Sequence, residues 1–281
     1  MKKCISYWSL KDGLANTHPI GDALSEAKAA GFDGLELCIG TEGELTVDTP
    51  EAECRAIREK IDASGLTVET LASGMSWGFN PVSDDPEVRE KAVSLHEAAL
   101  QRAAWLGLDA MLFVPGTVNS PIAPDEHVRP DLAIDRCREN VTRLLETAER
   151  VGVDLCLENV WNGLFYSAPE FAGFLDSFGS DRLGAYLDVG NLMGIQQWPP
   201  HWVQLLGSRI KRVHVKDFKE DFNWQGTYDF CRLGEGDVPW PETVAALKEI
   251  GYDRTVVAER LPHGEGLLEH TSDALSRILA G

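Results

Sequence analysis

Four side chains able to bind a cation or move a proton stand at or near the ends of apolar runs in the second half of this chain. Glu158 closes the run 153–157, Asp188 closes 183–187, His214 lies within 210–215 and Glu259 closes 255–258. Three carboxylates and one neutral imidazole suit Mn²⁺, Co²⁺ or Mg²⁺ better than the thiolate-rich sites of structural zinc. One acidic residue at a strand end is ordinarily a helix cap or a solvated loop group. Four such residues on consecutive strands ask for more, because carboxylates gathered in one place repel one another unless a cation joins them. Four protein ligands to one divalent ion leave two octahedral positions open, enough for two adjacent oxygens of a polyol.

The same runs define the elements that must position these groups. Short, β-branched and separated by helical stretches, they read as parallel strands joined by βα crossovers. The first half supplies matching runs at 4–8, 34–38, 67–72 and 110–114. Eight strands close a parallel barrel, and their carboxyl ends face the bowl in which such barrels do their chemistry. Helices are expected over 23–30, from 50 onward, and over 86–106, 138–150 and 240–250. Gly31, Gly65, Gly107, Gly152 and Gly251 each stand just ahead of a strand, where a helix-ending glycine belongs. No linker or low-complexity tract interrupts the alternation, so residues 1–281 are expected to form a single domain. No glycine-rich phosphate fingerprint follows the first strand, which argues against a doubly wound open sheet.

Composition narrows the partners. With 45 acidic and 26 basic residues the formal charge is −19, which opposes non-specific binding to nucleic acid or to anionic membranes. No apolar run is long enough to cross a bilayer, and the stretch after Lys2 and Lys3 is too short for a secretory leader. Cys4, Cys38, Cys54, Cys137, Cys156 and Cys231 show no paired spacing and read as reduced thiols, so a cytoplasmic location is expected. A homodimer or homotetramer stays open, with Trp198 and Trp202 suited to a lid or subunit contact.

The segments Leu157-Glu158-Asn159, Leu187-Asp188-Val189-Gly190-Asn191, His214-Val215-Lys216-Asp217 and Ala258-Glu259 resemble the sugar phosphate isomerase/epimerase family. The resemblance extends from Gly31-Phe32-Asp33-Gly34-Leu35-Glu36-Leu37 through Leu233-Gly234-Glu235-Gly236 to Glu259. It implies a xylose-isomerase-like (β/α)8 TIM barrel and a small-molecule sugar as substrate. It also implies one divalent ion (Mn²⁺, Co²⁺ or Mg²⁺) held by Glu158, Asp188, His214 and Glu259, with Glu158 and Glu259 also moving protons. Asn191 stands where the free-ketose 3-epimerases of the family carry a histidine, and Phe218-Lys219-Glu220 where they carry an arginine. The Asp-Val-Gly-Asn and His-Val-Lys-Asp forms look more like the phosphopentulose branch.

Such a site acidifies the carbon-bound hydrogen beside a coordinated carbonyl, giving a cis-enediolate. Reprotonation from the opposite face is epimerisation, and reprotonation at the neighbouring carbon is isomerisation. Expulsion of a β-substituent is the alternative, a lyase or dehydratase acting on a keto-sugar or keto-cyclitol. A metal nuclease like endonuclease IV is a remoter alternative, because it needs histidines after strands three and four, where this chain has Leu-Ala-Ser-Gly and Phe-Val-Pro-Gly. Trp8, Trp77, Phe79, Trp161 and Phe165 are expected to wall the bowl and stack on sugar faces. Glu36, Asn191, Lys216 and Asp217 are the expected polar contacts to substrate, with Lys216 and Lys219 as candidates for a phosphate. The run 74–86 is long enough for a lid.

Overall fold

Among the residues described by the computed structural model (1–120, 126–220 and 229–281), eight parallel strands close a ring. β1 (Lys2–Ser6), β2 (Gly34–Ile39), β3 (Thr70–Ser73), β4 (Ala110–Phe113), β5 (Asp154–Glu158), β6 (Leu183–Asp188) and β7 (Ile210–Val215) pair in chain order. An antiparallel pair follows, β8 (Asp217–Lys219) with β9 (Asp229–Cys231). β10 (Thr255–Ala258) then inserts between β7 and β1 and completes the barrel. The crossovers carry α1 (Ile20–Ala29), α2 (Glu51–Ser64), α3 (Pro86–Trp105), α4 (Pro130–Val151), α5 (Ala168–Asp176), α6 (Val189–Gly194), α7 (Pro199–Leu206), α8 (Trp240–Glu249) and, at the C-terminal end, α9 (Leu267–Ala280).

The barrel strands are largely buried, β2 to β6 and β10 along their entire length, because helices cover the outside and side chains fill the inside. Their near-continuous apolar runs follow from that. All five glycines expected to end helices have left-handed backbones, with φ between 68° and 81°, and Gly65 and Gly152 cap α2 and α4 directly. At the start of α3, Asp85 accepts a hydrogen bond from the Glu87 N–H while Pro86 takes the first turn. α4 starts at Pro130, eight residues before the apolar pattern becomes dense, and buries Ala133, Cys137, Val141, Leu144, Leu145 and Ala148 along one face. Trp8 does not end β1: it lies in the 3₁₀ turn Tyr7–Ser9 beyond it.

Register places the chemistry. Asp188 on β6 pairs with His214 on β7, after an irregularity between Ala185 and Tyr186 that shifts the ladder. His214 is flanked on its other side by Val257, two residues before Glu259. The run 74–86 is wall rather than lid. Asn80 donates to Thr117 O and Glu126, while Asn140 and Arg136 of α4 donate to the carbonyls of Pro81 and Val82. Among the described residues all six cysteines are free and no helix is long and apolar enough to cross a membrane.

One buried group titrates where it can be measured. His96 on α3 is fully enclosed, its Nδ1 donating to Ala92 O at 2.8 Å and its Nε2 accepting from Ser73 Oγ at 3.0 Å. Burial lowers its pKa from 6.5 to about 4. The unfolded chain takes up this proton below about 6.5 while the folded chain resists until about 4, so stability falls as pH drops through that window. The full effect is about 3 kcal/mol. Urea unfolding of wild type and His96→Gln at pH 7 and pH 4.5 should show the wild type losing the more stability on acidification. Equal losses would contradict this origin of the acid sensitivity.

Candidate metal centre

Glu158, Asp188, His214 and Glu259 converge at the carboxyl ends of β5, β6, β7 and β10. One ligand atom from each lies within 4.8 Å of the others, and all four residues are buried. Asp188 is both the last residue of β6 and the cap of α6, its Oδ1 accepting from Asn191 N at 2.9 Å. Its Oδ2 is buried without a hydrogen bond among the described residues and has Lys216 Nζ, 3.0 Å away, as its ion-pair partner. The Asp188 backbone is clamped on both sides by the Asn159 amide, whose Oδ1 accepts from Asp188 N and whose Nδ2 donates to Asp188 O, each at 2.8 Å.

His214 is held edge-on by two carboxylates. Nε2 lies 2.7 Å from Glu36 Oε1, and Nδ1 lies 3.2 Å from Glu158 Oε1. Glu36 is therefore not the sugar contact expected from sequence. It points into the barrel beneath the cluster, where it also accepts from Thr70 Oγ1 at 2.8 Å and from the Tyr186 hydroxyl. If Nε2 carries the proton donated to Glu36, the Nδ1 lone pair faces the other ligands, the arrangement that orients metal-binding imidazoles generally.

Electrostatics within the cluster are divided unevenly. Burial pushes the Glu158 carboxyl up to about 7, Asp188 and Glu259 adding to the rise and His214 opposing it. Burial raises Asp188 as well, against Lys216. For Glu259 the burial effect is outweighed by Lys216 and His214, and its carboxyl is lowered. Burial disfavours the His214 cation, but Glu36 and Glu158 more than reverse this and raise its pKa well above the usual value. Lys216 Nζ bridges Asp188 and Glu259, and this pairing, against burial, raises it. Gly190 makes room for that lysine, since a Cβ there would sit 2.5 Å from both Lys216 Cγ and Lys216 O.

Above the cluster opens a cavity of about 660 Å³. Its wall includes Trp8, Trp77, Phe79 and Trp161, and its floor Glu158, Asn191, Lys216 and Glu259. Trp161 stacks on Phe230 with ring centroids 4.9 Å apart and donates from Nε1 to Asn191 O. Asn191 lines the cavity while its Nδ2 donates to Asn159 O.

Several expected contacts lie elsewhere. Asp217 is fully buried and accepts from the backbone N–H groups of Phe218, Gly234 and Val238 and from Trp240 Nε1. It anchors the 233–236 loop and does not face substrate, because its oxygens are already taken up by these donors. Phe165 packs on Phe171 and Phe174 in the core. Trp202 is buried against Phe171, which excludes it from a lid or subunit contact, whereas Trp198 is 45% exposed. Lys219 pairs with Asp237 outside the cavity. Tyr186 went unnoticed in the sequence although it lies two residues before Asp188 on one strand, a spacing that puts both on the same face. Arg260, directly following Glu259, carries no sequence pattern of its own, and Asn159, quoted beside Glu158 for the resemblance, gave no sign of its role in clamping Asp188.

The donor set fits a divalent cation. Three carboxylates and an imidazole within 4.8 Å supply hard donors once the imidazole gives up its extra proton to the incoming cation, and Asp188 Oδ2 is buried without a hydrogen bond. A cation there would offset the repulsion that Glu158 and Asp188 feel from Glu259.

Known proteins agree with this architecture. A sequence profile for xylose isomerase-like TIM barrels matches residues 24–278. A D-psicose 3-epimerase of Enterocloster bolteae is 27% identical over 90% of this chain and 79% of its own length. A 3-oxo-isoapionate decarboxylase of Pectobacterium atrosepticum is 37% identical over a shorter stretch, 37% of this chain and 36% of that protein. A solved D-psicose 3-epimerase from Clostridium cellulolyticum H10, with D-tagatose, superposes with a TM-score of 0.80 at 20% identity, covering 99% of both chains. The chain belongs to the xylose isomerase-like TIM barrel family.

Proposed function

We propose that this chain is a divalent-metal-dependent epimerase or isomerase of a ketose or ketose phosphate. Glu158, Asp188, His214 and Glu259 are its metal ligands, and Glu158 and Glu259 carry the protons. The observation that carries this reading is the convergence of four ligand atoms within 4.8 Å beneath an aromatic-walled cavity that both glutamates line. The D-psicose 3-epimerases among the relatives support it.

When bound, the divalent ion supplies Lewis acidity toward a carbonyl and its neighbouring hydroxyl. The protein does the rest. Glu259, whose carboxyl is held ionised beside Lys216, is ready to take the hydrogen next to the carbonyl. Glu158, pushed up toward neutrality, is ready to return one from its own side. Two carboxyl groups of unequal proton affinity are what inversion through an enediolate requires. The aromatic wall offers faces for the sugar ring and keeps water from the exposed carbanionic carbon. Asn191 and Lys216 stand on the floor where the reacting oxygens must lie. The decarboxylase relative favours one second reading, in which the same enediolate arises by loss of carbon dioxide from a keto-acid sugar.

Reaction in D₂O followed by NMR tests the proton-transfer scheme. Wild type should place deuterium on the carbon beside the carbonyl of the epimer or isomer it forms. Glu158→Gln and Glu259→Gln should each slow that exchange by roughly 10²- to 10⁴-fold, the usual contribution of a positioned acid or base. Product that keeps its original hydrogen throughout would indicate a hydride shift and overturn the two-glutamate scheme. So would a Gln variant that exchanges at the wild-type rate. A shortened product without epimer would select the lyase reading.

A further inference from the structure

Among the described residues that line the cavity two are cationic, and their situations differ. Lys216 on the floor is already paired with Asp188 and Glu259. Arg260 directly follows Glu259 and lines the same cavity. Its Nε is buried without a hydrogen-bond partner, and no carboxylate among the described residues forms an ion pair with its guanidinium. Glu42 shares the cavity wall but stays exposed and makes no ion pair with it.

This is an unusual place to leave an arginine unpaired. The chain has 45 acidic residues, and many of its other arginines take carboxylate partners, as Arg143 does with Glu90 and Glu97 and Arg209 with Asp176, while the part-buried Arg89 and Arg102 donate to backbone carbonyls instead. A half-buried guanidinium without an anion loses solvation and gains nothing in return. Its backbone is nonetheless fixed. Arg260 N donates to Ser9 Oγ at 2.9 Å, and three residues on His263 Nδ1 lies 3.1 Å from Ser9 O, so the β10 loop is tied to the turn after β1. The fork is thus presented to the cavity by a held backbone, next to the residue that closes the metal cluster.

We propose that Arg260 binds an anionic group of the substrate, a phosphate or a carboxylate, on the part of the molecule that lies away from the reacting carbons. The planar guanidinium matches two oxygens of either group. Resting on the epimerase or isomerase reading, this assigns the substrate class: a sugar phosphate or a sugar acid, not a neutral ketose. A neutral sugar would leave the buried Nε facing a hydroxyl of no particular advantage, whereas an anion satisfies both its charge and its donor. Lys216 and Lys219, the candidates suggested by sequence, are taken up by Asp188, Glu259 and Asp237.

The test compares kcat/KM, read by proton exchange in D₂O, across three panels: free ketoses, ketose phosphates, and keto-sugar acids. Wild type should favour one anionic panel over the neutral one, and which panel wins distinguishes phosphate from carboxylate. Arg260→Gln should lower the ratio of anionic to neutral kcat/KM by about 10- to 100-fold, chiefly through KM, and Arg260→Lys should lower it less. Because the readout is a ratio within one preparation, a variant that folds in reduced yield still reports. A wild-type preference for free ketoses, or a ratio that Arg260→Gln leaves unmoved, overturns this assignment while leaving the epimerase reading intact. Absence of exchange with all three panels overturns that reading, and this one with it.

Discussion

The structure is governed by the concentration of negative charge at one end of the barrel. Glu158, Asp188 and Glu259 are buried side by side, with Glu36 directly beneath them. Leaving a buried carboxylate without compensation costs on the order of several kcal/mol. The protein's own answer is partial. His214 is shared by Glu36 and Glu158, and Lys216 by Asp188 and Glu259, which leaves four carboxylates facing two potential cations. A divalent ion held by this cluster would complete the balance.

That constraint explains details otherwise unconnected. Asn159 clamps the Asp188 backbone so that Oδ1 can cap α6 while Oδ2 stays available. Gly190 is small because Lys216 passes through the space a Cβ would fill. Gly194 is small for a related reason: a Cβ there would lie 2.1 Å from the Trp161 ring, which forms part of the cavity wall. Asp217, next to Lys216, directs its charge away from the cluster and into the loop that follows β9. Among the described residues that line the cavity, Arg260 is the cation without an acidic partner, the observation on which the proposal of an anionic substrate rests.

Much of this was legible in the sequence, for physical reasons. Parallel strands covered on both faces must be apolar throughout, so their runs and the glycines before them marked the barrel. A polar group at a strand's carboxyl end interrupts that apolar character, so Glu158, Asp188, His214 and Glu259, which the fold brings together, stood out. Glu36 also interrupts an apolar run, but sequence does not reveal depth: it lies too low in the barrel to reach the cavity and instead supports His214. Asp217 is one residue beyond Lys216, at the break between β7 and β8, and its carboxylate turns to the donors of Gly234, Val238 and Trp240, partners that sequence spacing does not reveal. Trp202 and Phe165 illustrate the ambiguity of aromatics, which fill cores as readily as they line sites. The start of α4 was missed although Pro130 stands at its first position and Ala133 and Cys137 already belong to its buried face, because that stripe is sparser in the first turns than in the later ones.

The central claim is that four side chains on four neighbouring strands make one cation site, with Glu36 orienting its imidazole. Titration of Mn²⁺ into chelator-stripped protein, followed by calorimetry, addresses it directly. The account predicts saturation at about one ion per chain, as for a single four-ligand site. Asp188→Ala should abolish that binding, and Glu36→Gln should weaken it by roughly 10- to 100-fold, the usual cost of losing a partner that orients a ligand. Failure to bind, or binding that Asp188→Ala leaves unchanged, would contradict it.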